Sequence, residues 1–444
     1  MNLRSFVALL PFLPALLQAQ GGELGSELTP MGAEAAGNAA GTIPAWSGGV
    51  TEPPIGYQPG EPHVDPFGDQ PLHVISASNH AQHTAVLSPG LVALLQRYPD
   101  SFRIPVYPSR RSHAAPEWVY ANTRENHGRS RLVDEGNGFE GAHAGIPFPV
   151  PDQPLEVYWN HVARWRGQHI ISRADDVNVY PDGRHTRIAR STQVKFNYYD
   201  RSRSIDNAGN VLFSLLSKVT APPRQAGGGV LVLETLNQSA EPRQAWSYDA
   251  ARRRVLRAPE LGFDDAIGSA DGLRTADDTD IVNGSPERFE WSLLGKREML
   301  IPYNNYALVD SETDPEALLQ RGHINPAFTR FELHRVWILE ARIRREWRHV
   351  YTRRVFYVDE DSWTAVMADQ YDQAGELWRV SINYPFNAYE LPATLPALYV
   401  FHDLSAGRYH VQAMKAGARQ VAKTLEPMPP DGLFTPAGLR RYVR

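Results

Sequence analysis

HRVWILEARIRRE at residues 334–346, HVYTRRVFYVDED at 349–361, SWTAVMADQYDQ at 362–373 and GELWRVSINY at 375–384 follow one another almost without a gap. β-Branched and aromatic residues recur in each, and turn chemistry stands at Asp359-Glu360-Asp361-Ser362 and at Asp372-Gln373-Ala374-Gly375. Parallel strands need crossovers of about a dozen residues, and these connections are far shorter. The stretch therefore predicts an antiparallel β-meander. Alternation sorts its side chains: Trp337, Leu339, Ala341 and Ile343 share one face of the first strand, while Glu340, Arg342 and Arg344 face away. Trp363, Ala365 and Met367 fall on one side of the third strand, and Trp378, Val380 and Ile382 on one side of the fourth. A sheet with one apolar, tryptophan-rich face must cover it with helices, a second sheet or a ligand.

Working outward, the same texture reaches back to residue 169. HIISRADDVNVY (169–180), a turn at Pro181-Asp182-Gly183 and HTRIARSTQVKFNYY (185–199) read as paired strands. GVLVLETL (229–236) is another, and RQAWSYD (243–249) with RRRVLRAP (252–259) forms a hairpin. Two helices precede or interrupt the strands. Ser88 as N-cap and Pro89 in the first turn open one, with Leu91, Val92, Leu94, Leu95 and Tyr98 as its apolar face. The other starts at Asp152 and Pro154, carries Leu155, Tyr158, Trp159, Val162 and Trp165 at helical spacing, and is expected to end at Gly167. Residues 24–71 are dense in Gly, Pro and Ala without sustained periodicity, yet Ile43, Trp46, Ile55, Tyr57 and Phe67 punctuate them. That predicts an arm laid over the body. The expected division is a signal peptide at 1–19, the arm at 20–71 and one large β-sheet domain at 72–444. No repeat of 20 to 50 residues is visible, which argues against solenoids and propellers.

Composition narrows the chemistry. Of 444 residues, 42% are hydrophobic and 21% charged, and the net charge of −5 gives no long-range attraction to nucleic acid. The chain has no cysteine, so disulfides, thiolate metal sites, Cys nucleophiles and an N-terminal lipidated Cys are excluded. Arg4, the apolar run Phe6–Leu17 and Ala19 have the layout of a cleaved secretory signal. No later run of about 18 apolar residues occurs, so the mature chain is expected to have no transmembrane segment.

Motifs for catalysis are scarce. His80 and His83 stand three apart with His63 and His73 nearby, but without HExxH or carboxylates at ligand spacing they read as surface residues. Asp278, Asp280, Asn283, Gly284 and Glu290 resemble a calcium loop in outline, yet their spacing misses the EF-hand pattern, and a solvated acidic loop is expected. GxSxG, P-loop and GxGxxG motifs are absent. Neither a metal nor a cofactor is expected. Arg252, Arg253, Arg254 and Arg257, with Arg243, cluster in the predicted hairpin; they read as a solvated face or, functionally, as a rim meeting anionic headgroups or a partner. The tryptophans read as core or as the lining of a hydrophobic groove.

LTPMGAEAAGNAAGTIPAWSGG, WNHVARWRG, PPRQAGGGVLVLETLN, WSYDAARRRVLRAP, GSPERFEWSLLGKREMLIPYNNY and the meander together resemble one family, the exported bacterial proteins of domain-of-unknown-function family 1329. The resemblance covers nearly all of the mature chain. It implies a fold related to the outer-membrane lipoprotein-sorting proteins: mainly β with helices, a curved antiparallel sheet forming an incomplete barrel, and helices on its concave side. It further implies a hydrophobic cargo, and companionship with resistance–nodulation–division type exporters and outer-membrane proteins. No catalytic residue is defined for the family.

Together these readings lead to the expectation of a non-enzymatic protein of the periplasm, peripheral to the outer membrane, that binds a lipid or other hydrophobic molecule. The residues expected to line the hollow are Trp337, Leu339, Ile343, Trp363, Met367, Trp378 and Val380, with Arg252, Arg253, Arg254 and Arg257 as its rim. The alternatives are an envelope hydrolase or glycan-modifying enzyme, which needs clustered acid and base groups in a polar cleft, and a purely structural adaptor.

Overall fold

A computed structural model of the chain describes residues 22–258, 262–415, 423–424 and 428–444; the signal-peptide span 1–19 lies outside the described residues. Strands dominate. The meander read from sequence is β12 (Phe331–Ile343), β13 (Arg353–Asp359), β14 (Ala365–Tyr371) and β15 (Leu377–Ala388), preceded by β11 (Phe289–Pro302) and continued by β16 (Ala393–Asp403) and β17 (Arg408–Lys415). The earlier strands are β1 (His73–Ile75), β2 (Ile104–Tyr107), the small ribbon β3 (Arg131–Val133) and β4 (Gly138–Glu140), then β5 (His169–Val179), β6 (His185–Lys195), β7 (Val211–Ala221), β8 (Gly229–Thr235), β9 (Gln244–Asp249) and β10 (Arg254–Arg257). A short β18 (Lys423–Thr424) pairs with β5.

β17 pairs antiparallel with β5, which joins the C-terminal meander to the N-terminal strands in one sheet: β11 beside β12, then β13 to β17, then β5 to β10. β2 runs parallel to the start of β12, the one parallel pair of strands among the described residues. The sheet curls, and the Asn305 amide beyond β11 donates to the Pro385 carbonyl of β15 at 2.8 Å. It stays open, since β10 and β11 are not paired with each other.

Cross-strand partners share a face, so the registers define two faces. On the first, Met367, Ile382, Val400, Val411 and Val177 are successive partners from β14 to β5, all buried. Helix α1 (Pro89–Arg97) lies here, capped by the Ser88 hydroxyl as its sequence predicts. Its Gly90 sits so close that a Cβ would lie 2.1 Å from Asp369 Oδ1 and 2.8 Å from Val380 Cγ1. Farther along the same face, α4 (Pro436–Tyr442) packs Leu439 and Val443 against Leu216, Leu231 and Tyr248. The second face carries Leu339, Phe356, Ala368, Ser381, Phe401 and His410. Helix α3 (Pro154–Ala163) and residues 262–284 cover it. A fourth helix, α2 (Glu117–Asn126), uses Thr123 and Asn126 to hold the 143–146 backbone.

Three expectations change. The acidic stretch 264–290 reads as a solvated loop, but Asp277 and Asp278 within it are buried. Arg354 of β13 donates to both, and Arg164 and Arg166 grip Asp280, so arginines distant in sequence neutralise the run. α3 ends at Ala163 rather than Gly167, because Arg164 leaves helical geometry to reach Asp280. β7 was not read as a strand, since VLFSLLSKVTA is apolar on both faces and lacks clean alternation. Within the arm, Met31, Ala33 and Ile43 are buried, and the Arg111 guanidinium donates to the Glu34, Ala35 and Pro44 carbonyls.

Candidate functional site

Past β5, among the described residues, α3 and residues 262–284 no longer cover the second face. Ile170, Val194, Leu215, Val232 and Ala245 are successive cross-strand partners over β5 to β9, an aliphatic ladder about 19 Å long at about 4.8 Å per strand. Beside it run Ser172, Thr192, Ser217, Val230, Ser247 and Leu256. Val194, Leu215, Val230 and Val232 are half-buried and Leu256 is 42% exposed. Leu215, Val230 and Val232 belong to neither of the two packed clusters. The Thr192 and Ser217 hydroxyls bond each other at 2.8 Å, so the second ladder presents little unmet polarity. The same strands turn Leu216, Leu231 and Trp246 to the opposite face, under α4. One side of β7 and β8 is thus core and the other is an open apolar trough.

The ends of the trough differ. At one, the Phe213 ring lies 6.2 Å from Phe196, over which the Arg166 guanidinium stacks at 4.7 Å. At the other is the edge strand β10, where Leu256 and Arg254 share the trough face, Arg252 and Arg253 occupy the turn, and Arg257 points to the α4 side. All four arginines are exposed. An edge strand loaded with cations resists pairing with other chains, so a structural role and a rim role coincide here.

The residues expected to line a hollow are placed apart. Leu339, Trp363, Met367 and Val380 are fully buried; Trp337, Ile343 and Trp378 are half-buried. Trp337, Leu339 and Ile343 look toward the second face and Met367 and Val380 toward α1, so no single surface holds them all. Trp363 stacks with Trp337 at 6.3 Å and its indole N–H donates to the Met31 carbonyl at 2.8 Å. Trp378, under Arg379 at 3.9 Å, lines an open depression of about 590 Å³ with Asp264, Arg348 and His349. The trough residues escaped the sequence reading because β7 did; the signal present was the apolar alternation Val230, Val232 opposite Leu231, Leu233.

Titratable groups cluster elsewhere, and they are buried. His334, Asp359 and Asp361 bring one ligand-type atom each within 4.8 Å of the others. Burial disfavours a charged imidazole at His334, but Asp359 and Glu332 outweigh it and push its pKa up to about 10. Burial likewise opposes ionisation of Asp277, yet Arg354 and His349 hold its carboxyl down at about 2. His73 and His83 stack at 5.2 Å in the exposed N-terminal region and gather no carboxylates. Among the described residues no helix is long and apolar enough to cross a membrane.

The profile of the family described as "Protein of unknown function (DUF1329)" matches residues 74–440. The uncharacterized protein PA3922 of Pseudomonas aeruginosa is 40% identical over 430 residues, covering 97% of this chain and 94% of that protein. Among solved structures, a Vibrio parahaemolyticus domain provisionally described as an outer membrane lipoprotein-sorting protein aligns with a TM-score of 0.44 at 13% identity, covering 65% of this chain and 98% of its own. A DUF1329 family protein from Desulfovibrio piger gives 0.39 at 15% (62% and 92%), and a LolA superfamily protein from Nitrosomonas europaea 0.37 at 13% (64% and 98%).

Proposed function

This chain belongs to the DUF1329 family of proteins of unknown function, and on that premise we propose that it is a carrier that shelters the apolar part of an amphiphile in the β5–β9 trough. The observation that carries the reading is a row of aliphatic side chains, half-buried at Val194, Leu215 and Val232, on a sheet face whose reverse side packs against α4. Arg252, Arg253 and Arg254 at its open end would meet an anionic headgroup, a cation being the complement of phosphate or carboxylate. The tryptophan strands are proposed as the rigid wall that holds the trough in shape. Carriage rather than catalysis is proposed because the clustered acid and base groups, Asp277, Asp278, Glu332, His334, Asp359 and Asp361, lie buried and paired with one another or with arginines. The compartment, the cleaved signal and work alongside an envelope exporter and an outer-membrane protein complete the proposal; they rest on the N-terminal sequence and on the family resemblance.

The energetics suit a transient hold. About ten methylenes leaving water contribute on the order of 8 kcal/mol, against an association cost of about 4 to 15 kcal/mol. At the lowest cost the surplus is about 4 kcal/mol, so the chain alone supports no better than about millimolar affinity, which permits release and leaves tighter binding to the headgroup contacts. Native purification followed by mass spectrometry is expected to find a bound amphiphile. Leu215→Glu and Val232→Glu, at half-exposed positions, are expected to weaken binding of a long-chain phospholipid about tenfold or more with little change in melting temperature. A wild type that binds no amphiphile would sink the proposal.

A further inference from the structure

We infer that His334, Asp359 and Asp361 form a binding site for one divalent transition-metal ion, with Zn²⁺ the best match to the donors. His334 lies on β12, Asp359 closes β13, and Asp361 follows in the turn; register places Asp359 opposite Val336, two residues from the histidine. His334 Nδ1 is 3.3 Å from Asp359 Oδ1 and 3.8 Å from Asp361 Oδ2. A charge-assisted hydrogen bond between imidazolium and carboxylate runs at about 2.7 to 2.9 Å. Two ligands held at about 2.0 to 2.2 Å by one tetrahedral zinc stand about 3.3 to 3.6 Å apart. The first pair has the second spacing, and Asp359 Oδ1 makes no hydrogen bond at all.

The surroundings of two of the three ligands follow the pattern of metal centres, in which the far atom of each ligand is fixed by another group. His334 Nε2 faces Glu332 Oε2 at 3.3 Å, and Glu332 is itself held by Arg330 and Asn304. Asp359 Oδ2 accepts from the Ser362 amide at 2.9 Å and its hydroxyl at 2.5 Å. Asp361 departs from that pattern: Arg111 donates to its Oδ1 at 2.6 Å and also to its Oδ2 at 3.0 Å, so its metal-facing oxygen is shared with the guanidinium. Glu332, Asp359 and Asp361 bring three negative charges against two from Arg111 and Arg330, so one further positive charge balances the cluster, a metal ion or a proton on His334. Two further polar atoms beside the cluster have no partner: Tyr303 Oη, whose ring lies 4.1 Å from the His334 ring, and His113 Nε2. Both residues are only 2% exposed, and such atoms are rarely left unpaired where no ion or water serves them.

Sequence spacing could not reveal this site, since the histidine and the aspartates come from neighbouring strands rather than one helix or loop. The rival is a protonated His334 supplying the missing charge, and the two differ in experiment. The full chain, purified without chelator, is expected to carry close to one equivalent of metal by plasma mass spectrometry. Treatment with a chelator is expected to lower its melting temperature, and Zn²⁺ to restore it. Co²⁺ added to the stripped wild type should give visible d–d bands, absent in Asp359→Asn and in His334→Gln but present in His83→Gln, which removes only the exposed histidine stack. A stripped wild type that neither binds Co²⁺ nor shifts its melting with Zn²⁺ overturns the inference, whatever the variants do; so do d–d bands that survive in folded Asp359→Asn. Amphiphile binding at the trough is read separately and decides nothing here.

Discussion

Asp277 and Asp369 are both buried carboxyls, and their neighbours send them in opposite directions. Asp277 has Arg354 at 2.9 Å and His349 at 3.0 Å, and is held at about 2 against an ordinary 3.8. Its folded pKa is depressed, so the stability it brings is full above about pH 4 and lost as pH falls toward 2, on the order of 2 kcal/mol. Asp369 lies under α1, where burial raises it to about 6 despite the Tyr357 hydroxyl at 2.8 Å. Its folded pKa exceeds the unfolded one, so its contribution is best with the proton on and declines as pH rises from about 4 to 6. Asp369→Asn is expected to flatten the melting temperature over that interval, while Asp277→Asn, which leaves Arg354 short of a partner, is expected to cost about 3 to 5 kcal/mol at neutral pH. Thermal melts of each variant from pH 3 to 8 check both; an unchanged slope between pH 4 and 6 in Asp369→Asn would remove that residue as its source. None of this was legible in the sequence. An acidic run reads as solvated until the strand that brings Arg354 to it is known, and β13 is more than 70 residues away along the chain.

At the scale of elements, what could be read was whatever carries its own periodicity. The meander strands emerged because their β-branched and aromatic runs are separated by short turn signals, and α1 because Ser88-Pro89 is a local start signal that needs no tertiary partner. β7 and α4 did not emerge, each for its own reason. β7 is apolar on both sides because its two faces serve different purposes, and α4 has only seven residues, too few for a helical period to declare itself. Their packing is mutual: Leu439 is fully buried in a cluster with Leu216 and Leu231, and Lys218 reaches the Tyr442 carbonyl at 2.8 Å. Leu439→Ala is therefore expected to cost about 2 to 5 kcal/mol and to loosen α4 from β8 and β9 before the meander yields. Hydrogen exchange resolved by peptide should show protection lost first at residues 428–444 and β8–β10. Uniform loss across β12–β16 would mean that the small cluster has no separate stability.

For the whole molecule, the open question is which face of the sheet meets a cargo, and the two faces answer to different mutations. Trp363 is fully enclosed, stacked on Trp337, bonded to the arm at Met31 and adjacent to the His161 ring that accepts the Ala365 amide at 2.9 Å. Removing it opens a cavity in the part of the sheet that everything else leans on, so Trp363→Ala is expected to cost about 3 to 5 kcal/mol. Trough positions have no such burden, because a half-exposed side chain with no packed neighbours above it can be changed without a void. From sequence the tryptophans read as core or as groove lining, since alternation shows that a face is apolar but not what covers it; α1, α3 and the arm lie over these strands. If the trough is the site, Trp363→Ala at a temperature where it remains folded should bind a long-chain phospholipid with unchanged affinity, while Val232→Glu should lose affinity and keep its melting temperature. Isothermal titration and melting on the same preparations separate the two. Affinity that falls with Trp363→Ala and survives Val232→Glu would move the cargo to the tryptophan strands, either to the depression beside Trp378 or to Trp363 itself once the arm lifts away, since Trp363 is fully enclosed as folded.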